Sequence, residues 1–339
     1  MKYGGIDGGQ KQFTGGLDAR DFEERNAAEI AAITSTHKII DDIILDESKW
    51  EVDFEETAKG FLSSQRMLSH LRYATQSEIE AATNILRNFY NYLLHHNVCP
   101  EYTTQIYAAR KVCDLADREL FDTIHVGTQL PSDFNSAVSR LHGGTFAGVF
   151  SADQTWDGAE NFGGSDEDSR DIIMAAISAL GTEEQYAQAS TSSTFKVLYE
   201  EDVGFEVTRV EMADAETRSL YEVAMQRKPH LKVVGKLHCR RWTYPLAKQQ
   251  GPPKVPQEFT LFVEDIVLEH CFVGLKIEGL VKGLDIGLHW LDIVYTANPS
   301  FFVLLPNEFY DKQKAAKREE TGIYGQDSDD GKAEEPGHP

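Results

Sequence analysis

The hydrophobic period changes partway along this chain, and that change limits the folds open to it more than any single motif does. From Thr75 onward, Ile79, Ala82, Leu86, Phe89 and Leu93 recur at three- and four-residue spacing, which marks one face of a helix. Thr75 with Glu78, or Ser77 with Glu80, supplies the capping box that starts it. Pro100 then falls in the first turn of a second helix, along which Tyr102, Ile106, Ala109, Cys113, Ala116 and Leu120 keep the same alternation. Two antiparallel helices joined at Asn97–Pro100 are the expected product. Asp18 to about His37 has a mixed period, and Asp53 with Glu56 opens a helix expected to reach about Leu71. Ser132 to Leu141 reads as a shorter helix closed by Gly143.

Between Phe150 and Arg170 the composition shifts to Asp, Glu, Gly, Ser and Asn, an exposed loop before a helix from Asp168 to Leu180 that Gly181 stops. Beyond it the period becomes two. Strands are expected at Phe195–Tyr199, Gly204–Met212, Leu231–Trp242, Phe259–Leu268, Cys271–Leu280, Leu284–Tyr295 and Phe301–Leu305, with a helix at Asp214–Arg227 among them. Gly251 to Pro256, with its prolines, is a stiff connector. In the strand from Leu284, the residues Ile286, Leu288 and Trp290 share its face, but Leu291, Ile293 and Tyr295 take the other. A bulge or break near Trp290 follows. The fold class is therefore α+β, a helical N-terminal half packed against a mainly antiparallel β C-terminal half. The divisions are 1–150, helical and opened by a Gly-rich loop; 151–167, an acidic loop; 168–310, mainly β with inserted helices; and 311–339, a charged tail expected to be disordered.

Charge narrows the function classes. The formal net charge is −22, so bare nucleic acid is repelled overall and a basic protein partner is favoured. Asp153, Asp157, Glu160, Asp166 and Glu167 concentrate negative charge in the acidic loop and are candidate steering residues. One basic constellation opposes this trend: Lys236, His238 and Arg240 alternate along a strand, with Arg241, Trp242 and Tyr244 beside them. Such an array suits a phosphate backbone or an acidic peptide. The plainer reading is preferred, that these cations defend an edge strand or serve as internal partners for the many acids. No stretch approaches the roughly 20 apolar residues of a membrane span, so no membrane partner is expected. The 4 cysteines lack a Cys-x-x-Cys pair and are read as free thiols.

Catalytic and metal motifs are sparse. His95 and His96 with Cys99 suggest a metal site only until geometry is considered, because adjacent residues on a helix point about 100° apart. The Asp153, Thr155, Asp157, Gly158 run starts like a calcium loop, yet Gly164 stands where a bidentate glutamate is required. No Gly-x-Ser-x-Gly, His-Glu-x-x-His or phosphate-loop pattern occurs, and no cofactor is expected.

Four longer strings carry more information. Gly4 to Asp18 (GGIDGGQKQFTGGLD) places three glycine pairs around Ile6, Phe13 and Leu17, and reads as an ordered loop. With Asn88–Tyr102 (NFYNYLLHHNVCPEY), Ile106–Leu120 (IYAARKVCDLADREL) and Ala297–Tyr310 (ANPSFFVLLPNEFY), it resembles the family of Argonaute-binding subunits of the fungal Argonaute siRNA chaperone complex. That resemblance implies a non-enzymatic component of RNA interference and heterochromatin formation, acting in nucleus and cytoplasm. It implies Argonaute and a further chaperone-complex subunit as partners, with duplex siRNA reached indirectly through Argonaute. Members of that family usually carry a basic, low-complexity extension ahead of the GGID run, and no role of such an extension is expected of these residues. The alternative is an intracellular enzyme with a dispersed active site in the C-terminal β region. An apolar cleft with convergent, shifted ionisable groups would favour it.

Overall fold

Two serines divide what the hydrophobic pattern joins. Asp53 starts α1 (Phe54–Leu62) by accepting from the Glu56 amide at 2.9 Å. The helix ends well before Leu71 because Ser63 and Ser64 turn their hydroxyls onto the Lys59 and Phe61 carbonyls, at 2.7 and 2.9 Å. Ser64 then caps α2 (Gln65–His70) by accepting from the Met67 amide at 3.2 Å. The computed structural model describes residues 52–148, 165–191, 195–243 and 252–304, nearly all within one compact unit, Ala58–Val303. The expected helix at Asp18–His37, the Gly-rich run, most of the acidic loop and the charged tail lie outside the described residues.

Thr75 and Glu78 form the capping box of α3 (Gln76–His95), with Glu78 accepting from the Thr75 amide at 2.8 Å. A 3₁₀ turn at Pro100–Tyr102 leads into α4 (Thr103–Gln129), which continues past Leu120. Ile79, Thr83, Tyr90 and Leu93 of α3 are buried, as are Ile106, Ala109, Cys113, Ala116 and Leu120 of α4. The seam is locked by polar pairs, since Arg87 reaches Asp114 at 3.1 Å and also Asp117, while Thr83 donates to Asp117. Phe89 corrects the expected pattern: it is exposed and its neighbour Tyr90 takes the buried place. At 27 residues, α4 is about 40 Å long, enough to serve two structures. Its far end sends Val126, followed by Leu130, into the core of a β-barrel.

That barrel closes in the order β1-β2-β3-β5-β4, from β1 (Val197–Glu211), β2 (Val234–Arg241), β3 (Glu258–Glu264), β4 (Lys276–Leu284) and β5 (His289–Asn298). All neighbours are antiparallel except β3 and β5. A short helix, α9 (Asp265–Leu268), joins β3 to β4. This strand order, with a helix at that place, is the one found in oligonucleotide- and oligosaccharide-binding barrels, although topology alone assigns no ligand. Outside the barrel lie α5 (Ser132–Leu141), α6 (Asp166–Leu180), α7 (Glu183–Thr191) and α8 (Ala215–Met225). The sequence signals α8 and α5 well, places α6 two residues late, and gives no warning of α7. Among the described residues no helix is long and apolar enough to cross a membrane.

The strands depart from expectation for two reasons. First, the two segments expected around Gly204 are one strand: Glu200, Glu201 and Asp202 break the apolar alternation, yet the main chain pairs through them with Lys282, Val281 and Leu280. Second, β5 is apolar on both faces because both are covered. Trp290 packs outward under α5 and α6, together with Leu284 at the end of β4 and Ile286 and Leu288 in the turn between the strands, whereas Leu291 packs inside the barrel. The bulge expected near Trp290 falls two residues on, where Val281 faces Leu291 and Leu280 faces Ile293, leaving Asp292 as the extra residue. Phe272 and Leu275 join the barrel core from the loop ahead of β4, which explains why β4 begins at Lys276 rather than Cys271. Val267 and Leu268 contribute from α9, not from β3, and Phe301 and Phe302 are buried without forming a strand.

Candidate interaction surfaces

The basic strip on β2 is arranged as the alternation requires, with Leu237 and Cys239 inside the barrel and Lys236, His238 and Arg240 on its outer face. Its surroundings decide what it does. Arg240 pairs with Glu206 at 3.4 Å, across the register of β1 and β2. The His238 Nε2 lies 3.1 Å from Glu211, and Arg209, one residue past the β1 bulge, reaches that same carboxylate at 2.5 Å. Arg241 grips Glu201 through its two terminal guanidinium nitrogens, at 2.6 and 2.9 Å, and also donates to the Val255 carbonyl at 3.0 Å. Glu201 further accepts from the Lys254 and Val255 amides at 2.7 Å each. Burial pushes the Glu201 carboxyl up, but Arg241 and the two amides outweigh it and hold the group below its ordinary range. Arg241 is thus a clamp that ties the proline-bearing connector to the barrel.

Lys236 alone of the four has no ion pair or hydrogen bond among the described residues. β2 is not an edge strand, because it pairs with β1 on one side and β3 on the other. The edge-defence reading is therefore corrected, and the internal-partner reading describes the geometry. The neighbouring outer face of β3 is roofed: Phe262 packs beneath α5, and Glu264 is buried and accepts from the Phe134 amide at 2.6 Å.

Of the candidate steering acids, Asp153, Asp157 and Glu160 lie outside the described residues. Asp166 and Glu167 are exposed in the first turn of α6, where the helix dipole favours negative charge. Ser165 caps that turn by accepting from the Asp168 amide at 3.0 Å, and the Ser165 amide and hydroxyl draw the Asp168 carboxyl below its ordinary range.

The α3–α4 hairpin carries a surface that the sequence reading missed. Ile85, Phe89 and Tyr92 are 74%, 50% and 57% exposed and follow one another at spacings of four and three, so they form a stripe on α3 beside the α4 seam. Val98 after the helix and Tyr73 before it are also exposed. Contiguous large apolar groups left in water commonly mark an interaction surface. The signal was present in NFYNY, where two aromatic stripes overlap: Tyr90 belongs to the seam with Ile79 and Leu93, Phe89 and Tyr92 to the outer row with Ile85.

Chemistry-bearing groups elsewhere are held for structure. His270 meets Asp122 at 2.8 Å, with the His125 ring 3.9 Å from the His270 ring, at the contact between α4 and the segment after α9. Burial and the neighbouring His270 both push the His125 pKa down. Cys113 is buried in the α3–α4 seam, and its thiol is pushed up to about 11 by that burial. Among the described residues no group of three or more His, Cys, Asp or Glu side chains is placed to hold a metal ion.

Comparison with known proteins adds what the surfaces alone do not. Residues 1–315 match a family model described as Argonaute siRNA chaperone (ARC) complex subunit Arb1. The chain is 28% identical over 321 residues to Argonaute-binding protein 1 of Schizosaccharomyces pombe, a match covering 91% of this chain and 75% of that one. No solved structure matches it significantly. A match running from the Gly-rich loop through the helical hairpin and the whole barrel leaves one conclusion: the chain belongs to the Arb1 family of Argonaute siRNA chaperone complex subunits.

Proposed function

We propose that this chain is a non-catalytic subunit that binds Argonaute through the outer face of the α3–α4 hairpin and meets siRNA only through Argonaute. The observation that carries this reading is the Ile85, Phe89, Tyr92 stripe, which has the aromatic character of protein contacts and is presented on a rigid hairpin. Pairing of Arg240, Arg241 and Arg209 to carboxylates supports the RNA half, since a paired guanidinium must first give up its partner to grip phosphate. The net charge of −22, with Asp166 and Glu167 exposed on α6, supports electrostatic steering towards a basic face of that partner. A second complex subunit binds elsewhere, consistent with the family's place in a multisubunit assembly.

The test is an Argonaute pull-down with purified wild-type chain and an Ile85→Asp, Phe89→Ala, Tyr92→Ala variant. Capture by the variant should fall by at least about tenfold, the loss expected when anchor residues are truncated. Its melting temperature should stay near wild type, because exposed substitutions away from special backbone sites typically change stability by about 0.5 kcal/mol or less. Tyr90→Ala serves as the contrasting control, with about 3 kcal/mol lost from the seam. Undiminished capture by the stripe variant would remove this surface from the interface.

A further inference from the structure

α8 buries Thr217 and Tyr221 against the body and leaves two large apolar side chains in water. Leu220 is 56% and Val223 64% exposed. Glu216 stands four residues before Leu220 and Arg227 four residues after Val223, and both are exposed. The helical turn carries on to Arg227, because Gln226 keeps right-handed helical geometry and the Lys228 amide donates to the Ala224 carbonyl at 3.0 Å. At about 100° per residue, the four side chains fall within about 60° of one another and form one row along a flank of the helix. The opposite flank is engaged within the chain, where Arg218 reaches Asp265 at 2.7 Å. The side chains of Glu216 and Arg227 have no ion pair or hydrogen bond among the described residues.

This row is its own complement. The midpoint between Leu220 and Val223 is also the midpoint between Glu216 and Arg227. A two-fold axis through that point, perpendicular to the helix, sets Leu220 against Val223 of a second copy and Glu216 against its Arg227. With a rise of 1.5 Å per residue, each charge lies about 8 Å from the axis, so an ion pair closes the apolar contact at either end. A two-fold interface demands this property, a patch that fits itself after rotation. The helix dipole favours an acid in the first turn and a base near the last, which accounts for Glu216 and Arg227 singly but not for Leu220 and Val223 between them. We propose that α8 is a self-association surface, pairing antiparallel with α8 of a second copy of this chain through Leu220 to Val223 and Glu216 to Arg227 contacts. The contact spans about three helical turns and is smaller than the roughly 1,200–2,000 Å² of a stable interface. The net charge of −22 on each copy opposes it at long range. The dimer is therefore weak, and it forms at high local concentration in salt that screens the wider repulsion. It leaves the α3 stripe free and does not depend on the assignment made there.

The test is sedimentation equilibrium of the full chain from about 5 μM to about 500 μM at about 0.15 M salt. The weight-average mass of wild type should climb from monomer towards dimer across that range. Val223→Asp should hold the chain monomeric throughout, with the melting temperature kept within a few degrees because the position is exposed. Glu216→Arg and Arg227→Glu, each alone, set like charges against each other at both ends and should weaken self-association at least about fivefold. An equimolar mixture of these two variants restores an unlike pair at each end, and it should associate at least as tightly as wild type. Only antiparallel pairing of α8 with itself gives that rescue. A wild-type chain that stays monomeric at about 500 μM, a dimer that survives Val223→Asp, or a mixture no tighter than either charge variant alone would each overturn the proposal.

Discussion

A carboxylate stays ionised inside a protein only where hydrogen bonds replace water, and Asp292 is supplied with them from three directions. The Thr145 amide donates to both of its oxygens, at 3.0 and 3.1 Å, the Thr145 hydroxyl donates at 3.1 Å, and Ser139 donates as well. Lys282 completes the set at 3.1 Å and also meets Glu200 at 3.2 Å. Gly144 lies so close that a Cβ there would collide with Ser139 and Asp292, which makes glycine a requirement of this turn. Burial pushes the Asp292 carboxyl up, but Ser139, Thr145 and Lys282 outweigh it and leave it below the ordinary aspartate range. For a depressed carboxyl, the stabilisation is complete above its unfolded pKa and disappears as pH falls through the folded value. Asp292→Asn should therefore lower the urea midpoint near pH 7 and narrow the difference between midpoints near pH 7 and pH 3, since the variant no longer has the Asp292 contribution to lose to acid. An unchanged acid dependence would show that Asp292 does not contribute to it.

At the scale of elements, the weakest join in the barrel is between β3 and β5, which meet in register only at Leu261 and His289. α5 repairs that seam with one side chain: Asn135 donates to the Phe262 carbonyl at 3.0 Å and accepts from the Leu291 amide at 2.9 Å. Ser132 fixes the amide by accepting from the same Nδ2 at 3.1 Å. Asn135→Ala should cost about 3 kcal/mol, from two orphaned backbone groups and a small void, measured by urea denaturation. A loss under about 1 kcal/mol would mean that water takes over the seam. The same elements show what was legible beforehand. The capping box at Thr75, the helix beginning at Asp214 and the opposing faces of Trp290 and Leu291 are local signals, and the structure uses each of them. The Asn135 bridge is not local, because its partners lie more than a hundred residues away, and nothing in Ser132–Leu141 marks one asparagine as structural. The α3 stripe was hidden for another reason: helical spacing alone does not say which of two adjacent apolar rows, through Phe89 or through Tyr90, faces the neighbouring helix.

For the whole molecule, charge and apolar contact act on different steps of one encounter. Long-range attraction between unlike surfaces raises the association rate and fades as the Debye length shrinks from about 10 Å at 0.1 M salt to about 3 Å at 1 M. Apolar anchors act mainly after contact and set the dissociation rate. In the proposed function, the acid-rich surface, including Asp166 and Glu167, acts in the first step and the Ile85, Phe89, Tyr92 stripe in the second. The most direct measurement is the kinetics of binding to purified Argonaute at about 0.05 M and about 0.5 M salt, for wild type and for the stripe variant. Wild-type association should slow by about tenfold or more between the two salts while dissociation changes little, and the stripe variant should dissociate at least about tenfold faster at either salt. A stripe variant that associates and dissociates like wild type would contradict the assignment of the α3–α4 hairpin as the Argonaute contact.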